Sequence, residues 1–430
     1  MKEQKTNPPR KTEYKHKHKS KAKMAVGGNS SMPSLQNFFR ITTQVMQQRA
    51  GDEFVIIHWD IDSFKVFNNL YGTESGDKLL SEIARRCALL KKQNPHVISY
   101  GYMGADHFLL CWDGEHFEPE EAWKTISAMV QASFPEFTFS VKCGLRKLDS
   151  NMEVSAACEQ ALLALRSIKG SYDVNFVWYD EKMLEIRLKE IEITSTMKAA
   201  LKRGDFVPYF QPQYNHLTGE MIGMEALARW IHPEKGLLSP AVFIPVFERT
   251  GFIFEMDKCI WEKACACLRR WMDAGLNPPP LSVNVSRKSL YHPGFIPSLN
   301  RVVERYRIDT DMLHLEITES AYMENKEQLL SIIARLHDLG FRVEMDDFGS
   351  GFSSLNFLKD VPVDLIKLDT EFLSMKNGNR GKGGNILSSV IRLAHGINLD
   401  IIAEGVEDKH QADLLKSLGC MDMQGYYFAR

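Results

Sequence analysis

The chain has 430 residues, which suggests two or three domains, and 44% of them are apolar, so it can bury more than one core. Its formal net charge of -2 excludes strong steering of the whole chain toward nucleic acid or an anionic membrane. It contains no apolar run near the roughly 20 residues of a membrane span, no signal-peptide core and no Cys-x-x-Cys pair, so we expect a cytoplasmic protein with reduced thiols.

Residues 1–30 are predicted to form a disordered basic tail, because they are rich in lysine and contain almost no large apolar residues. Two interpretations of the tail remain open. It is either a solvated segment or a tether to RNA, DNA or acidic lipid. Because the positive charge is concentrated in this tail, nucleic acid is not expected as a partner of the folded domains.

Residues 31–182 alternate predicted strands and helices and form the first predicted domain. The pattern predicts a strand at 54–60, a helix at 76–90, a hairpin over 97–112, a helix at 119–134, a strand at 137–145, a helix at 152–168 and a strand at 175–179. This order is typical of a ferredoxin-like α/β sandwich.

A charged amphipathic helix over residues 183–203 is predicted to link the domains, with Leu184, Leu188 and Ile191 on one face. Residues 204–430 then repeat strand and helix about eight times, which is the rhythm of a TIM-type (β/α)8 barrel.

In the predicted barrel, short apolar strands each end in a carboxylate, an amide or a lysine. Charged side chains are rarely buried unless they are paired or bind a metal ion. The carboxyl ends of barrel strands meet at one face, so the pattern predicts a hard-cation site there. The residues are Glu225, Asn284, Glu316, Asp346, Asp347, Lys367, Glu404 and Gln424.

Two of these residues begin the short motifs Glu225-Ala226-Leu227 and Asp346-Asp347-Phe348-Gly349. Together with these motifs, the series resembles the EAL family. Members of that family hydrolyse the bacterial second messenger cyclic di-GMP to linear pGpG. The resemblance implies two divalent ions, Mg²⁺ or Mn²⁺, and roles for the following residues. Glu225, Asn284, Glu316 and Asp346 bind the first ion, Asp346 bridges to the second, Asp347 holds the second, Lys367 orients the attacking water, and Glu404 is the metal neighbour and candidate general base.

The same resemblance implies further contacts around the metal site. Arg229 clamps a substrate phosphate, Gln211 contacts guanine, Gln424 lies beneath the site, and Glu319 and Glu407 orient the metal ligands. In the family, the loop that here covers residues 347–355 couples the metal site to a dimer interface, so a homodimer through the EAL domain is expected. Family members usually continue beyond the position of Arg430, so the last barrel helix is expected to be missing.

The first domain carries Asp60, Asn68 and Gly76-Asp77, followed by the hairpin Gly104-Ala105-Asp106-His107-Phe108. These motifs resemble the GGDEF family of diguanylate cyclases. The resemblance implies that Asp60 binds metal, that Asn68 and Asp77 contact guanine, and that Asp106 is the catalytic acid. The similar letters Gly51-Asp52-Glu53-Phe54 precede the Asp60 strand and are interpreted as chance.

Several positions depart from the GGDEF pattern. Ala105 replaces a glycine that lets the backbone approach the triphosphate, and His107 replaces an acid at the Mg²⁺ site. Gly170 stands where the phosphate clamp has arginine. We therefore expect a degenerate GGDEF domain without cyclase activity. It is either a regulatory domain that binds GTP or GDP, or a structural dimerisation and packing domain.

For the whole chain, the sequence predicts a cyclic di-GMP phosphodiesterase. The alternative is a receptor that binds cyclic di-GMP without cutting it. Such receptors usually lose metal ligands, whereas this chain keeps Asp346, Asp347, Lys367 and Glu404.

Overall fold

The computed structural model describes residues 34–149, 151–171, 173–321, 325–348, 360–368 and 382–429. The predicted basic tail and most of the predicted loop at 347–355 lie outside these residues. The chain divides into two compact units, Met1–Arg187 and Leu188–Arg430. In the described part, no helix is both long and apolar enough to cross a membrane.

The first unit is an α/β sandwich around one mixed sheet. The sheet order is β2-β3-β1-β4-β5, in which β5 runs parallel to β4 and the other neighbours are antiparallel. The described elements are α1 Leu35–Gln48, β1 Phe54–Asp62, α2 Phe64–Tyr71, α3 Thr73–Gln93, β2 Val97–Gly104, β3 His107–Asp113, α4 Pro119–Ser133, β4 Ser140–Leu148, α5 Val154–Ser167 and β5 Phe176–Trp178. The ferredoxin-like prediction is confirmed, and α1 and α2 are additional.

The central strand β1 explains why this sheet holds together. Almost every residue of β1 is buried, so both of its faces are covered. On one face Val55, Ile57 and Trp59 join the larger apolar core with α3 and α4, and on the other Ile56 packs with α1 and α5. A strand that is buried on both faces tends to be apolar at successive positions, and the first four residues of β1, Phe54–Ile57, are all apolar.

The second unit is a closed barrel. Helix α6, Glu181–Arg203, begins in the first unit and continues into the second. The other described elements of the second unit are β6 Phe206–Asn215, β7 Met221–His232, β8 Gly236–Leu238, α7 Pro240–Thr250, α8 Ile253–Asp273, β9 Leu281–Asn284, α9 Arg287–Leu290, α10 Phe295–Tyr306, β10 Leu313–Thr318, α11 Lys326–Asp338, β11 Val343–Phe348, β12 Leu365–Leu368, α12 Lys382–Gly396, β13 Asp400–Ala403, α13 Lys409–Leu418 and β14 Asp422–Gln424. The predicted linker helix at 183–203 falls within α6.

The barrel closes because β6 pairs with both β7 and β14, while β8 adds to β7 as an outer hairpin. Strand β6 is antiparallel to both neighbours, and the remaining barrel strands are parallel to each other. The predicted barrel is therefore confirmed, with an irregular first strand. A parallel array places the carboxyl ends of its strands at one rim of the barrel.

Alternation along the strands separates the apolar core from the polar interior. In β10, Leu313, Leu315 and Ile317 belong to the apolar core that also contains residues of the surrounding helices. Successive side chains of a strand point to opposite faces, so the intervening His314 and Glu316 face the other way. The same alternation puts the polar residues of the other strands on the inside of the barrel.

Candidate active site in the barrel

Lys367 stands at the centre of the polar interior. It lies on β12, and its side chain is fully buried. The Lys367 Nζ atom is 2.6 Å from Glu404 Oε1, 2.8 Å from Glu316 Oε1, 3.2 Å from Glu225 Oε2 and 3.8 Å from Asp346 Oδ1. Glu225, Glu316 and Asp346 lie on three further strands, β7, β10 and β11, and Glu404 directly follows a fourth, β13. The structure thus brings together five of the predicted site residues, although they are separated by up to 179 positions in the chain, from Glu225 to Glu404.

The amide side chains hold Glu225 from two sides. Asn284 Nδ2 donates to Glu225 Oε1 at 3.0 Å, and Gln424 Nε2 donates to Glu225 Oε2 at 2.6 Å. The same Gln424 nitrogen donates to Gln211 Oε1 at 2.9 Å. Three more of the predicted residues therefore join the cluster, and Gln424 connects β14 with β6 and β7.

Gln213 belongs to this network and was missed by the sequence reasoning. Its Nε2 donates to Gln424 Oε1 at 2.9 Å, and its side chain is buried. A Cβ atom on Gly223 would lie 2.3 Å from Gln213 Oε1, so the close packing here depends on glycine. The period of two along β6 was the available signal, because Gln213 follows Gln211 on the same strand face.

One ammonium group opposes four carboxylates, and burial together with these charges shifts the pKa values of Glu404, Glu316 and Lys367. Burial raises the pKa of Glu404 to about 8. The positive charge of Lys367 lowers this pKa, whereas the negative charges of Asp346 and Glu225 raise it further. Burial, with the charge of Glu225 next, also raises the pKa of Glu316 well above its usual range. The four carboxylates outweigh the burial of Lys367 and raise its pKa.

Several buried oxygens of the cluster fit a divalent cation. Both carboxylate oxygens of Glu316, and Glu404 Oε1, lack a well-directed hydrogen bond among the described residues, despite their short distances to Lys367. Buried polar atoms are seldom left in this state without a reason. Carboxylate and amide oxygens with excess negative charge are the ligand set that Mg²⁺ and Mn²⁺ prefer.

The Asp346-Asp347 pair has an unusual backbone. Asp347 has a φ of 56°, in the left-handed region, and the register between β11 and β12 shifts between Met345 and Phe348. The Asp347 backbone N–H donates to Asp346 Oδ1 at 2.8 Å. A left-handed non-glycine residue is strained, and such strain is concentrated at functional sites. Here the irregular backbone follows Asp346 directly and presents Asp347 at the exposed rim.

The remaining predicted residues lie around the cluster. Arg229 follows Glu225 by four positions on β7, donates Nη1 to the carbonyl oxygen of Ala228 at 3.0 Å, and lies 5.8 Å from the centre of the Tyr209 ring. Glu319 follows β10 and is buried. Glu407 is exposed, and in the described structure it stands apart from the ion pairs of Lys367.

A second cluster of polar and charged side chains lies on strands β9, β10 and β11, two residues before the site residue of each strand. Glu344 is buried and bonds to His314 Nδ1 at 2.6 Å and to the Ser282 hydroxyl at 2.9 Å. Burial raises the pKa of Glu344, but the hydrogen bond to His314 and its charge lower it more, so the net direction is downward. The barrel interior below the site is thus polar and internally satisfied.

In the first unit, Asp60 lies at the end of β1 and is completely buried. Lys169, just after α5, places its Nζ atom 2.5 Å from Asp60 Oδ2. Burial raises the pKa of Asp60, and Lys169 partly offsets this. The sequence reasoning did not single out Lys169, although it considered the adjacent Gly170.

The hairpin between β2 and β3 contains Ala105 and His107, the two residues that differ from the GGDEF pattern in this turn. Ala105 has a φ of 53°, a left-handed conformation that glycine adopts more easily. His107 Nδ1 lies 3.2 Å from Nε2 of the buried His58, whose pKa is lowered to about 3, chiefly by burial. Asp106 acts on Asp60 and Lys169 through its charge, so it lies near them.

The two predicted guanine contacts lie on α2 and α3. The buried Asn68 Oδ1 has no hydrogen-bond partner among the described residues. A Cβ atom on Gly76 would lie 1.9 Å from it, so a larger residue at position 76 would force the Asn68 side chain to move. Asp77 is exposed.

The closed barrel, with its carboxylate-rich interior and central lysine, makes this unit an α/β-barrel whose polar residues gather at one end of the strands. The family model for the EAL domain matches residues 195–430, and the model for the diguanylate cyclase GGDEF domain matches residues 31–169. The chain therefore belongs to the EAL domain family and carries a GGDEF domain before the barrel.

Curated relatives extend over both domains. The bifunctional diguanylate cyclase/cyclic di-GMP phosphodiesterase MucR of Pseudomonas aeruginosa is 31% identical over 398 residues, which cover 90% of this chain and 57% of that protein. The cyclic di-GMP phosphodiesterase NbdA of the same organism is 28% identical over 429 residues, which cover 96% of this chain and 54% of that protein. The chain thus spans little more than half the length of these two relatives.

A solved structure of the PaMucR phosphodiesterase in complex with c-di-GMP is also similar. It is 34% identical, with a TM-score of 0.53, and the match covers 56% of this chain and 96% of that one. The cGMP-bound EAL enzyme Bd1971 is 28% identical with a TM-score of 0.52, and the match covers 66% of this chain and 77% of that one.

Proposed function

We propose that this protein is a cyclic di-GMP phosphodiesterase that hydrolyses its substrate to linear pGpG. The observation that carries the proposal is the convergence of four carboxylates from four strands on the buried ammonium of Lys367. A purely structural interior would not favour so many uncompensated carboxylates, because each one is costly to bury. The c-di-GMP complex of the similar PaMucR phosphodiesterase supports the choice of substrate.

Two divalent ions, Mg²⁺ or Mn²⁺, fit the oxygen-rich ligand set. Glu225, Asn284, Glu316 and Asp346 would hold one ion, and Asp346 with Asp347 would hold the other. Such ions supply positive charge for the phosphate oxygens and activate a water molecule. Gln424 keeps Glu225 oriented through its 2.6 Å hydrogen bond, since an amide that donates to a carboxylate fixes its direction.

Lys367 and Glu404 serve the proton chemistry. Lys367 donates to the attacking water and orients it toward the phosphorus atom. Bound divalent ions would favour the ionised form of Glu404, against its raised pKa. In that form Glu404, which is 2.6 Å from Lys367 and 19% exposed, can take the proton from that water as general base. Arg229 binds a phosphate oxygen of the substrate, Gln211 contacts a guanine base, and Glu319 and Glu407 keep the ligands in position.

The test is a chromatographic assay of cyclic di-GMP with the purified chain and Mg²⁺ or Mn²⁺. We expect metal-dependent appearance of pGpG. Glu225→Ala should abolish turnover because it removes a direct metal ligand, whereas Glu255→Ala, which removes a surface carboxylate paired with Lys258, should not. If the unaltered protein binds cyclic di-GMP but leaves it uncut, it is a receptor and the proposal is wrong.

We further propose that the first domain is a degenerate GGDEF domain that binds GTP and regulates the barrel instead of making cyclic di-GMP. The imidazole of His107 at the position of the family's acid, and the left-handed Ala105, support this proposal. A homodimer through the barrel, in the cytoplasm, completes the proposed arrangement. A structural role for the first domain is the alternative, and a response of turnover to GTP separates the two.

A further inference from the structure

The Lys169–Asp60 ion pair marks the point where the first domain would bind a metal ion. Asp60 is completely buried, and its Oδ2 atom accepts a hydrogen bond from Lys169 Nζ at 2.5 Å. The Lys169 side chain is 43% exposed, so its ammonium group contacts Asp60 on one side and solvent on the other. A fixed positive charge therefore already sits on the carboxylate that the GGDEF resemblance assigns to a divalent ion.

The Asp60 carboxylate has little capacity left for Mg²⁺. A hard cation requires several oxygen ligands, and carboxylates supply most of them in proteins. Here one oxygen of Asp60 is taken by Lys169, and His107 presents an imidazole that lies 3.2 Å from His58. Asp60 Oδ1 is buried without a hydrogen-bond partner in the described structure, which leaves a single oxygen of this carboxylate to bind a cation.

The same ammonium is suited to a phosphate group. A lysine ammonium carries three donors on a flexible stem, and it binds phosphate as a compact point charge. One donor of Lys169 is used by Asp60, so two remain for an incoming anion. Burial lowers the pKa of Lys169, but Asp60 and the charges of Asp106 and Asp62 raise it more, so the group stays a positively charged ammonium.

We propose that Lys169 takes the place of the divalent cation in the first domain, so that this domain binds the phosphates of a guanine nucleotide without a metal ion. The inference rests on the proposed nucleotide site and adds to it the nature of the phosphate-binding group. It accounts for the missing acid at His107, because a lysine needs fewer carboxylates than a divalent ion does.

The test measures GTP binding to the full chain by isothermal titration calorimetry, in EDTA and in Mg²⁺, without cyclic di-GMP. Binding by the barrel is subtracted with Asp77→Ala, which removes a proposed guanine contact. The Kd in EDTA is expected to stay within about threefold of the Kd in Mg²⁺, because the phosphate-binding cation is part of the protein. Binding that is at least about tenfold weaker in EDTA overturns the inference but leaves the nucleotide site in place; no binding in either buffer overturns both.

A variant pair tests Lys169 itself. Lys169→Met is expected to weaken GTP binding in EDTA at least about tenfold. Lys147→Met removes an exposed lysine that pairs with Glu53 in the same domain, and it should have no effect. Because Lys169→Met leaves Asp60 buried and unpaired, it can unfold the domain. The double variant Asp60→Asn with Lys169→Met removes both charges and should show the same loss; unchanged binding in the folded double variant would overturn the inference.

Discussion

At the residue scale, the ammonium of Lys367 opposes the four carboxylates of the proposed metal site. Four carboxylates lie within 3.8 Å of its ammonium, which is fully buried. Removing one partner from a buried ion cluster leaves uncompensated charge and typically costs about 3–5 kcal/mol. Divalent ions at the same carboxylates would supply the missing positive charge.

Lys367→Met is therefore expected to destabilise the protein far more in EDTA than in saturating Mn²⁺. The measurement is thermal unfolding of the variant and the unaltered protein in both buffers. Lys258→Met, which breaks an exposed ion pair with Glu255, serves as the control and should change neither curve appreciably. Equal destabilisation in EDTA and Mn²⁺ would show that no ion compensates the cluster.

In the same Lys367→Met variant, turnover should fall more than substrate binding, because Lys367 acts on the water.

His58 makes the first domain sensitive to acid. It is buried and neutral, and its pKa is lowered from 6.5 to about 3, mainly by burial. The unfolded chain therefore takes up a proton near pH 6.5, whereas the folded domain does not until about pH 3. The contribution of His58 to stability is complete above pH 6.5 and is lost as the pH falls through this window.

Between pH 7 and pH 5 we expect the folded state to lose about 2 kcal/mol through His58, since each unit of pKa difference corresponds to about 1.4 kcal/mol. Hydrogen exchange of β1 and β3, corrected for the intrinsic rate at each pH, measures this loss locally. His58→Asn should remove most of the pH dependence while lowering stability at pH 7. The same pH dependence in the variant and the unaltered protein would assign the acid sensitivity to another group.

At the scale of elements, helix α8 holds the turn that presents Asn284. Asp257 on α8 accepts hydrogen bonds from the Ser286 backbone N–H at 3.2 Å and from the Ser289 hydroxyl at 2.6 Å. Trp261, one turn further along α8, donates Nε1 to the carbonyl oxygen of Asn284 at 3.1 Å. These contacts fix the backbone at the proposed metal ligand Asn284 and just after it.

Asp257→Ala is expected to raise the Mn²⁺ concentration for half-maximal turnover by about 10–100-fold, the usual effect of losing a group that orients a metal ligand. The rate at saturating Mn²⁺ should fall much less, because the ligand itself remains. Asp273→Ala removes an exposed carboxylate of the same helix that pairs with Arg269, and it should leave the Mn²⁺ dependence unchanged. A fall in the saturated rate with an unchanged Mn²⁺ requirement would contradict the positioning role.

The barrel strands and their polar ends were predictable because period-two alternation and strand-end chemistry are local signals. Helix α2 was missed because its eight residues include Asn68 and Asn69 and follow Ser63, which has a φ of 62°, so no ordinary start signal marks it. Lys169 was missed for another reason. Its partner Asp60 is 109 residues away, and a contact over that distance has no spacing that the sequence can display.

At the scale of the whole molecule, each compact unit contains its own candidate site. Lys367 and its partners all belong to the unit that begins at Leu188, and Asp60, Asp106 and Lys169 to the unit that ends at Arg187. Regulation of one site by the other therefore requires a coupling free energy between them. Such coupling is reciprocal for binding, so the effect of GTP on cyclic di-GMP affinity must equal the reverse effect.

If the first domain is regulatory, GTP should change cyclic di-GMP turnover by about fivefold or more at subsaturating substrate, and Asp77→Ala should erase this change. Asp149→Ala, which removes an exposed carboxylate paired with Arg146 in the same domain, should leave the response intact. Calorimetry of the catalytically inactive Glu404→Gln variant would then measure GTP affinity with and without cyclic di-GMP. A GTP response of turnover that persists in Asp77→Ala would place the effector at the barrel instead, and no response at all would assign the first domain a structural role.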